Sequence, residues 1–425
     1  MSICTLHVGN FRGLSEQQEI EIRPITLFIG ANSSGKSSCI HALACLAQTL
    51  KLPNNTRPIS LDDEFAYVHL GRFIEVIHSK SYSDSISLGI NLPEADYTVF
   101  SGDQMHAQIV KGEVSARYTF GCTKRTQDTF LRAATVDIGD QSYSAKKTLK
   151  GYEVTHQNSK ISRIGALKSG FIFDDLTTFR PEDAENWKSI YNFFPLSQAQ
   201  TAIQEHLRST IYLGPFRQAP IRRYPTRGAN PIEVGAQGEA TITLLANEIV
   251  QSQSRPHLSQ ISTWLAQLGL ATKISVSRVG GSDLFDVSLT LKDGKKFPIA
   301  DLGYGLSQVL PVLTQCSFAA PGSTLLFEQP ELHLHSLAAR PLAKVFIETA
   351  KSKNIRIVAE THSSDLFGQF VREIREKTLP LEDFIAYRVA RKNDRSVLTK
   401  IEIDPNDFDV FTRWENGLSI EDPDE

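Results

Sequence analysis

No stretch of this chain is apolar for long enough to cross a bilayer as a helix, and Met1 to Asn10 lack the charged-then-apolar layout of a secretory leader. A cytoplasmic protein with no membrane partner is therefore expected. Cysteine is scarce and scattered. Cys4, Cys39, Cys45, Cys122 and Cys316 show no C-x-x-C spacing, which argues against a zinc site or a disulfide framework and for reduced core thiols. Excess charge of either sign is lacking too: 45 Lys and Arg stand against 48 Asp and Glu, a net charge of −3. That balance excludes a uniformly basic nucleic-acid binder but leaves room for a local basic patch. What remains is an ordinary globular composition, 41% hydrophobic and 22% charged, over 425 residues, enough for two or three domains and a substantial core.

The stretch from Pro24 to Ile40 organises the chain. Ile25 to Ile29 is a short apolar run expected to be a buried strand, and Gly30-x-x-x-x-Gly35-Lys36-Ser37 then fills every position of the phosphate-binding loop pattern. An apolar-periodic helix carrying Ile40, Leu43, Ala44, Leu46, Ala47 and Leu50 comes next. Gly30 and Gly35 let the backbone curl into a nest of N–H groups, and the candidate phosphate-binding set takes in Asn32, Ser33, Ser34 and Ser38 as well. Lys36 can reach the β- and γ-phosphates, while the Ser37 hydroxyl is placed to ligate magnesium. The competing reading is a Gly/Ser-rich turn that happens to contain a lysine. It does not account for strand, loop and helix appearing in the order the pattern requires.

Ile3 to Val8 and Gln18 to Ile22 read as strands around a turn at Asn10-Phe11-Arg12-Gly13. Between Ile86 and Val154 the alternation has period two, punctuated by Gly, Asp and Ser, as in an antiparallel meander. Residues 182 to 209 look helical, with Trp187, Ile190, Tyr191, Ile203 and Leu207 as core candidates. The expected organisation is a nucleotide-binding head formed by residues 1–85 and 211–425, with 86–210 inserted as an antiparallel and helical region. Arg217, Arg222, Arg223 and Arg227, interleaved with Phe216 and Tyr224, form the most basic short stretch. They could grip phosphates of a nucleic acid or of a neighbouring subunit's nucleotide, or form a solvated loop held by local ion pairs; both readings stay open.

Thr241 to Leu270 reads as a helix, Lys273 to Val279 and Phe285 to Leu291 as paired strands, and Phe384 to Val389 with Val397 to Ile403 as a hairpin turning at Asn393-Asp394. The end, Ile420 to Glu425, is acidic and expected to fray. Gly303-Tyr-Gly305-Leu-Ser307-Gln308 opens a helix and, alone, is explained equally well by flexible capping glycines. A stronger signal lies beyond it. Ser323 to Glu328 is an apolar strand ending in an acid, and Ile355 to Glu360-Thr361-His362 is another strand ending in polar groups. A carboxylate at one strand tip suits the water shell of magnesium, and the second tip suits contact with a terminal phosphate. His333 and His335 have a spacing that an extended metal site could use, but no further ligands lie nearby in sequence, which favours a structural role.

Taken in order, Asn10-Phe11-Arg12, the Gly30–Ser37 loop, the Gly303–Gln308 segment, Glu328-Gln-Pro-Glu-Leu-His-Leu-His335 and Glu360-Thr-His362-Ser resemble the motif set of ABC-class ATPase heads, more narrowly the RecF/SMC-like and OLD-like ATPases. The stretch Tyr212-Leu-Gly-Pro-Phe-Arg217 and the ending at Trp414 are similar to a prokaryotic subgroup that includes relatives of the Septu ATPase. The resemblance implies an α/β P-loop NTPase fold with a mixed sheet, cofactors ATP and Mg2+, and a head dimer that sandwiches ATP. Lys36 and Ser37 of one subunit would then face Gly305, Ser307 and Gln308 of the other, and Arg12 would lie beside the nucleotide. Glu328 would be the Walker B acid and metal ligand, and His362 the switch histidine. It further implies control of a separate effector, a nuclease in anti-phage defence. The alternatives are a RecF-like ATPase that binds DNA directly and a nucleotide-sensing scaffold with little turnover.

Two departures bear on catalysis. Gln329 stands where such heads carry a catalytic glutamate, and a carboxamide can orient water but cannot accept its proton. Turnover is therefore expected to be slow, or to draw on Glu331 or Glu360. No Q-loop glutamine is evident between residues 52 and 80. About sixty residues come after His362, fewer than a typical domain, so nuclease chemistry is expected in another chain.

Overall fold

The computed structural model describes residues 3–52, 57–101, 106–149, 151–157, 159–164, 171, 187–225 and 230–404. Arg227, Trp414 and the acidic end at 420–425 lie outside these residues, as do the side chains of Trp187, Ile190 and Tyr191.

The strands are β1 (Cys4–Gly9), β2 (Gln18–Ile22), β3 (Ile25–Ile29), β4 (Ile86–Ser101), β5 (His106–Cys122), β6 (Thr129–Ile138), β7 (Gln141–Thr148), β8 (Gly151–His156), β9 (Ser159–Ile164), β10 (Thr210–Leu213), β11 (Tyr224–Pro225), β12 (Lys273–Arg278), β13 (Leu284–Thr290), β14 (Lys296–Pro298), β15 (Thr324–Glu328), β16 (Arg356–Thr361), β17 (Phe384–Lys392) and β18 (Arg395–Lys400). The helices are α1 (Lys36–Lys51), α2 (Phe73–Val76), α3 (Trp187–Arg208), α4 (Thr241–Gln251), α5 (Pro256–Gln267), α6 (Tyr304–Phe318), α7 (Ser336–Lys353) and α8 (Ser364–Arg375). They form two compact units: the described parts of 1–22, 37–210 and 391–397, and those of 23–36, 211–390 and 398–425. One cut between the units falls after residue 210, and β1 registers directly onto β4 (Leu6 opposite Ile90), so residues 1–22 share a unit with the meander.

In the first unit an eight-stranded antiparallel sheet runs in the order β2-β1-β4-β5-β6-β7-β8-β9. The alternating span from Ile86 to Val154 forms β4 to β8, of which β4 and β5 are long because the irregularity between Leu92 and Ala95 shifts their register without ending either strand. Ile203 and Leu207 of α3 are fully buried, as their helical spacing suggests.

The second unit is the mixed α/β layer structure expected of a P-loop NTPase. Its sheet runs β10-β15-β16-β3-β17-β18. The pairs β15/β16, β16/β3 and β3/β17 are parallel, and the two-residue turn at Asn393-Asp394, both with positive φ, makes β18 an antiparallel edge. β3, β15 and most of β16 are buried along their length, as near-continuous apolar runs in a parallel sheet must be. Trp264, Leu313, Phe327, Phe346 and Phe370 belong to the same core. The single helix expected over Thr241–Leu270 is two helices. Pro256 has no N–H for the next helical bond and disfavours α conformation at Arg255, which sits at φ +46.

Phe327 is completely buried, one residue before Glu328, and its ring stacks on Phe346 with centroids 5.4 Å apart. Phe327→Ala is expected to cost about 3–5 kcal/mol, read as a lowered urea midpoint by circular dichroism.

Candidate functional site

The parallel pairing sets the site. Glu328 at the end of β15 is in register with Glu360 of β16, and Glu360 with Phe28 of β3, two residues before Gly30. Residues separated by some three hundred positions in sequence therefore share one rung, and the segments leaving all three strands emerge at the same edge.

Between β3 and α1, the loop 30–35 curls tightly. A Cβ on Gly30 would lie 2.1 Å from the Val389 carbonyl oxygen, so no other residue fits there. Ser33 (φ +62) and Gly35 (φ +102) take left-handed conformations, the second a natural place for glycine. Asn32 and Ser33 are exposed at the tip, whereas Ser34 and Ser38 are buried and Ser37 is half-buried in the first turn of α1. Lys36 is only 2% exposed. Its ammonium folds back to donate to the Ala31 carbonyl at 2.6 Å and lies 3.9 Å from Glu360 Oε1. Burial pulls its pKa below the ordinary lysine value, and Glu360, Glu328 and Glu331 oppose that shift.

The three carboxylates differ in their partners. Glu328 is buried and its Oε1 accepts a hydrogen bond from the Tyr212 hydroxyl at 2.6 Å. Glu331 Oε1 accepts from Thr361 Oγ1 at 2.6 Å and from the His362 amide at 3.2 Å, while Oε2 is buried with no partner among the described residues. Burial raises the pKa of Glu331, against those hydrogen bonds and the charge of Arg217. Gln329 begins the turn after β15 at φ +46, with its amide donating to the Glu360 carbonyl at 2.9 Å. His362 hydrogen-bonds the Gly30 backbone; burial and the Lys36 charge lower its pKa, so the ring is neutral at pH 7. Lys36, Glu328, Glu331, Glu360 and His362 thus stand at one strand edge. A cradle of backbone amides, one ammonium and several carboxylates is a donor set that fits a polyphosphate with a hard divalent cation.

The other expected residues are placed differently. The side chains of Ser307 and Gln308 are buried in α6, and Ser307 Oγ donates to the Tyr304 carbonyl at 2.8 Å. The surface of this segment consists of Gly303 and of Tyr304, which is 63% exposed. Gly305 packs against the turn after β15, where a Cβ would meet the His333 carbonyl oxygen at 2.4 Å. Arg12, at φ +50 in the first unit, points its Nη1 to His41 Nδ1 on α1 at 2.5 Å. His335 caps α7 by accepting from the Leu337 amide, and His333 lies against Tyr304. No group of three or more metal-binding side chains occurs among the described residues.

The arginine stretch resolves mostly into internal contacts. Arg222 makes a two-pronged pair with Asp301, and Arg223 faces Asp286 at 3.9 Å. Arg217 is buried, and its Nη2 donates to the carbonyls of Glu328 (2.9 Å) and Gln329 (3.2 Å). Burial pushes its pKa down to about 10. Sequence reasoning missed Tyr212 and the inward role of Arg217. The available signal was a tyrosine inside the apolar run Ile211–Leu213, a strand whose polar group had to find a buried partner.

Tyr212→Phe removes a donor to a buried carboxylate. It is expected to cost about 1.5–3 kcal/mol, measured by urea unfolding, and Phe at this position keeps the packing so that the loss reports the hydrogen bond.

A search of curated proteins gives no significant match. Solved structures similar to the chain include the SMC head domain from Thermotoga maritima, at 10% identity, 95% of this chain, 100% of that chain and a TM-score of 0.41. An SmcHead bound to the C-winged helix domain of ScpA matches at 11% identity, 95% and 98% coverage and a TM-score of 0.45. An Smc head domain from Pyrococcus furiosus, bound to the C-terminal domain of ScpA, matches at 10%, 94%, 96% and 0.40. The family model described as AAA ATPase domain matches residues 1–367, and the chain belongs to that family.

Proposed function

We propose that the chain binds magnesium-ATP at the carboxyl edge of its six-stranded sheet and hydrolyses it. We further propose that ATP-dependent association of two such heads controls a separate effector, a nuclease of prokaryotic anti-phage defence. The observation that carries the nucleotide reading is the rung shared by Glu328, Glu360 and Phe28, which brings the Gly30–Lys36 loop and both polar strand tips together. The effector rests on the sequence resemblance alone.

In this reading the amides of loop 30–35 wrap the phosphates, and Lys36 exchanges Ala31 and Glu360 for the β- and γ-phosphate oxygens. Glu328, oriented by Tyr212, and Ser37, next after Lys36, would hold the magnesium, which would supply charge neutralisation on the phosphates. Hydrolysis joins a water oxygen to the terminal phosphorus and breaks its bond to the bridging oxygen, releasing ADP and phosphate. Glu331 accepts the proton at Oε2; its raised pKa suits that task better than the amide of Gln329, which can only orient the water. His362 reads the terminal phosphate from beside Gly30.

Contact with a second head is proposed to run through Gly303, Tyr304 and Gly305 at the positive end of α6, since Ser307 and Gln308 face inward. Direct clamping of DNA is the weaker reading, because Arg222 and Arg223 are matched by aspartates and Arg217 is buried.

Phosphate release under multiple-turnover conditions is expected from the wild type and not from Lys36→Ala. Glu331→Gln is expected to lower kcat by about 100-fold or more while keeping ATP affinity. The same variant should accumulate as an ATP-dependent dimer by mass photometry. Equal release from wild type and Lys36→Ala would sink the hydrolytic reading; an unchanged mass on adding ATP would sink the association.

A further inference from the structure

Arg217 has no task in the hydrolysis of ATP by these groups, yet its placement is costly. The side chain is 7% exposed, and Nε and Nη1 are buried with no hydrogen-bond partner among the described residues. A side chain kept only to fill this space would be apolar, because a buried N–H without an acceptor is penalised. The loop that carries it is braced on both sides, with the Gly214 amide donating to the Ala236 carbonyl and the Gln218 amide to the Gln237 carbonyl. From there Nη2 reaches the carbonyls of both Glu328 and Gln329.

Those carbonyls flank a strained bond. Gln329 carries a Cβ yet sits at φ +46, a conformation unfavourable for such a residue unless its surroundings enforce it. Three contacts enforce it here: Gln329 N to Glu360 O at 2.9 Å, Leu332 N to Gln329 O at 3.0 Å, and the guanidinium on the outer side. The turn they define sets where Gln329 and Glu331 point.

We propose that Arg217 is a positioning residue for ATP hydrolysis, pinning the carbonyls of Glu328 and Gln329 so that the left-handed turn aims Gln329 and Glu331 at the attacking water. The inference rests on the hydrolytic reading. The hydrogen bonds of Arg217 run to backbone carbonyls of the turn, so its loss is expected to lower kcat more than ATP affinity.

The test compares wild type, Arg217→Met and Arg217→Lys in two measurements. Steady-state phosphate release with ATP should show kcat lowered about 100-fold in Arg217→Met, with KM within about threefold, since a small misplacement of reacting groups has that effect. Arg217→Lys should recover part of the loss. Hydrogen exchange of the nucleotide-free protein should show the Gln329 and Leu332 amides exchanging about tenfold faster in Arg217→Met, with Ile357 to Ala359 of β16 unchanged. Absence of Lys36-dependent turnover in the wild type would defeat the hydrolytic reading, while the exchange data would still decide whether Arg217 pins the turn. Wild-type kcat and turn protection in Arg217→Met would overturn the inference. So would a raised KM at constant kcat, or a loss of protection throughout the sheet in both variants, which marks a merely structural residue. If Arg217→Met fails to fold, Arg217→Lys carries both measurements alone.

Discussion

The register of three parallel strands governs everything else in this molecule. Strands β15, β16 and β3 are far apart in sequence, yet their backbone ladders align Glu328, Glu360 and Phe28 across one rung. Because parallel strands all point the same way, the segments that leave them emerge at the same edge, and side-chain alternation makes a one-residue slip turn every group to the opposite face. The buried apolar residues of β15 and β3 hold that register, so packing deep in the sheet decides the chemistry at its rim.

At that rim the charges are unequal. Lys36 answers to Glu360, Glu328 and Glu331, and the only other buried cation described in the cluster, Arg217, spends its Nη2 on backbone carbonyls. The tyrosine on Glu328, the threonine and backbone amide on Glu331, and the ammonium beside Glu360 give three chemically similar acids three different environments. An excess of carboxylates around one ammonium is the electrostatic setting in which a divalent cation is welcome, and a neutral His362 adds no competing charge.

Much of this could be read in the sequence, for identifiable reasons. The phosphate-binding loop is local, and its glycines answer to backbone needs that sequence spacing displays: Gly35 to a positive φ, Gly30 to the approach of β17. The acids at the ends of β15 and β16 were visible because each terminates an apolar run. What could not be read depends on contacts between distant segments. The partnership of Tyr212 with Glu328 and the inward turn of Arg217 are set by where β10 joins the sheet edge. The burial of Ser307 and Gln308 within this chain follows from the helical phase of α6, which the glycine-containing motif alone does not display. The joining of β1 to the meander was hidden for the same reason, since hydrophobic alternation specifies a strand and not its neighbour.

The central claim is that one strand edge holds a triphosphate and its metal. A crystal structure of the chain with a non-hydrolysable ATP analogue and Mg2+ tests it most directly. The account predicts the terminal phosphates inside loop 30–35, with Lys36 Nζ released from Ala31 and bonded to phosphate oxygen, and the metal beside Glu328. Nucleotide bound elsewhere, with Lys36 still on Ala31 and Glu360, would contradict it.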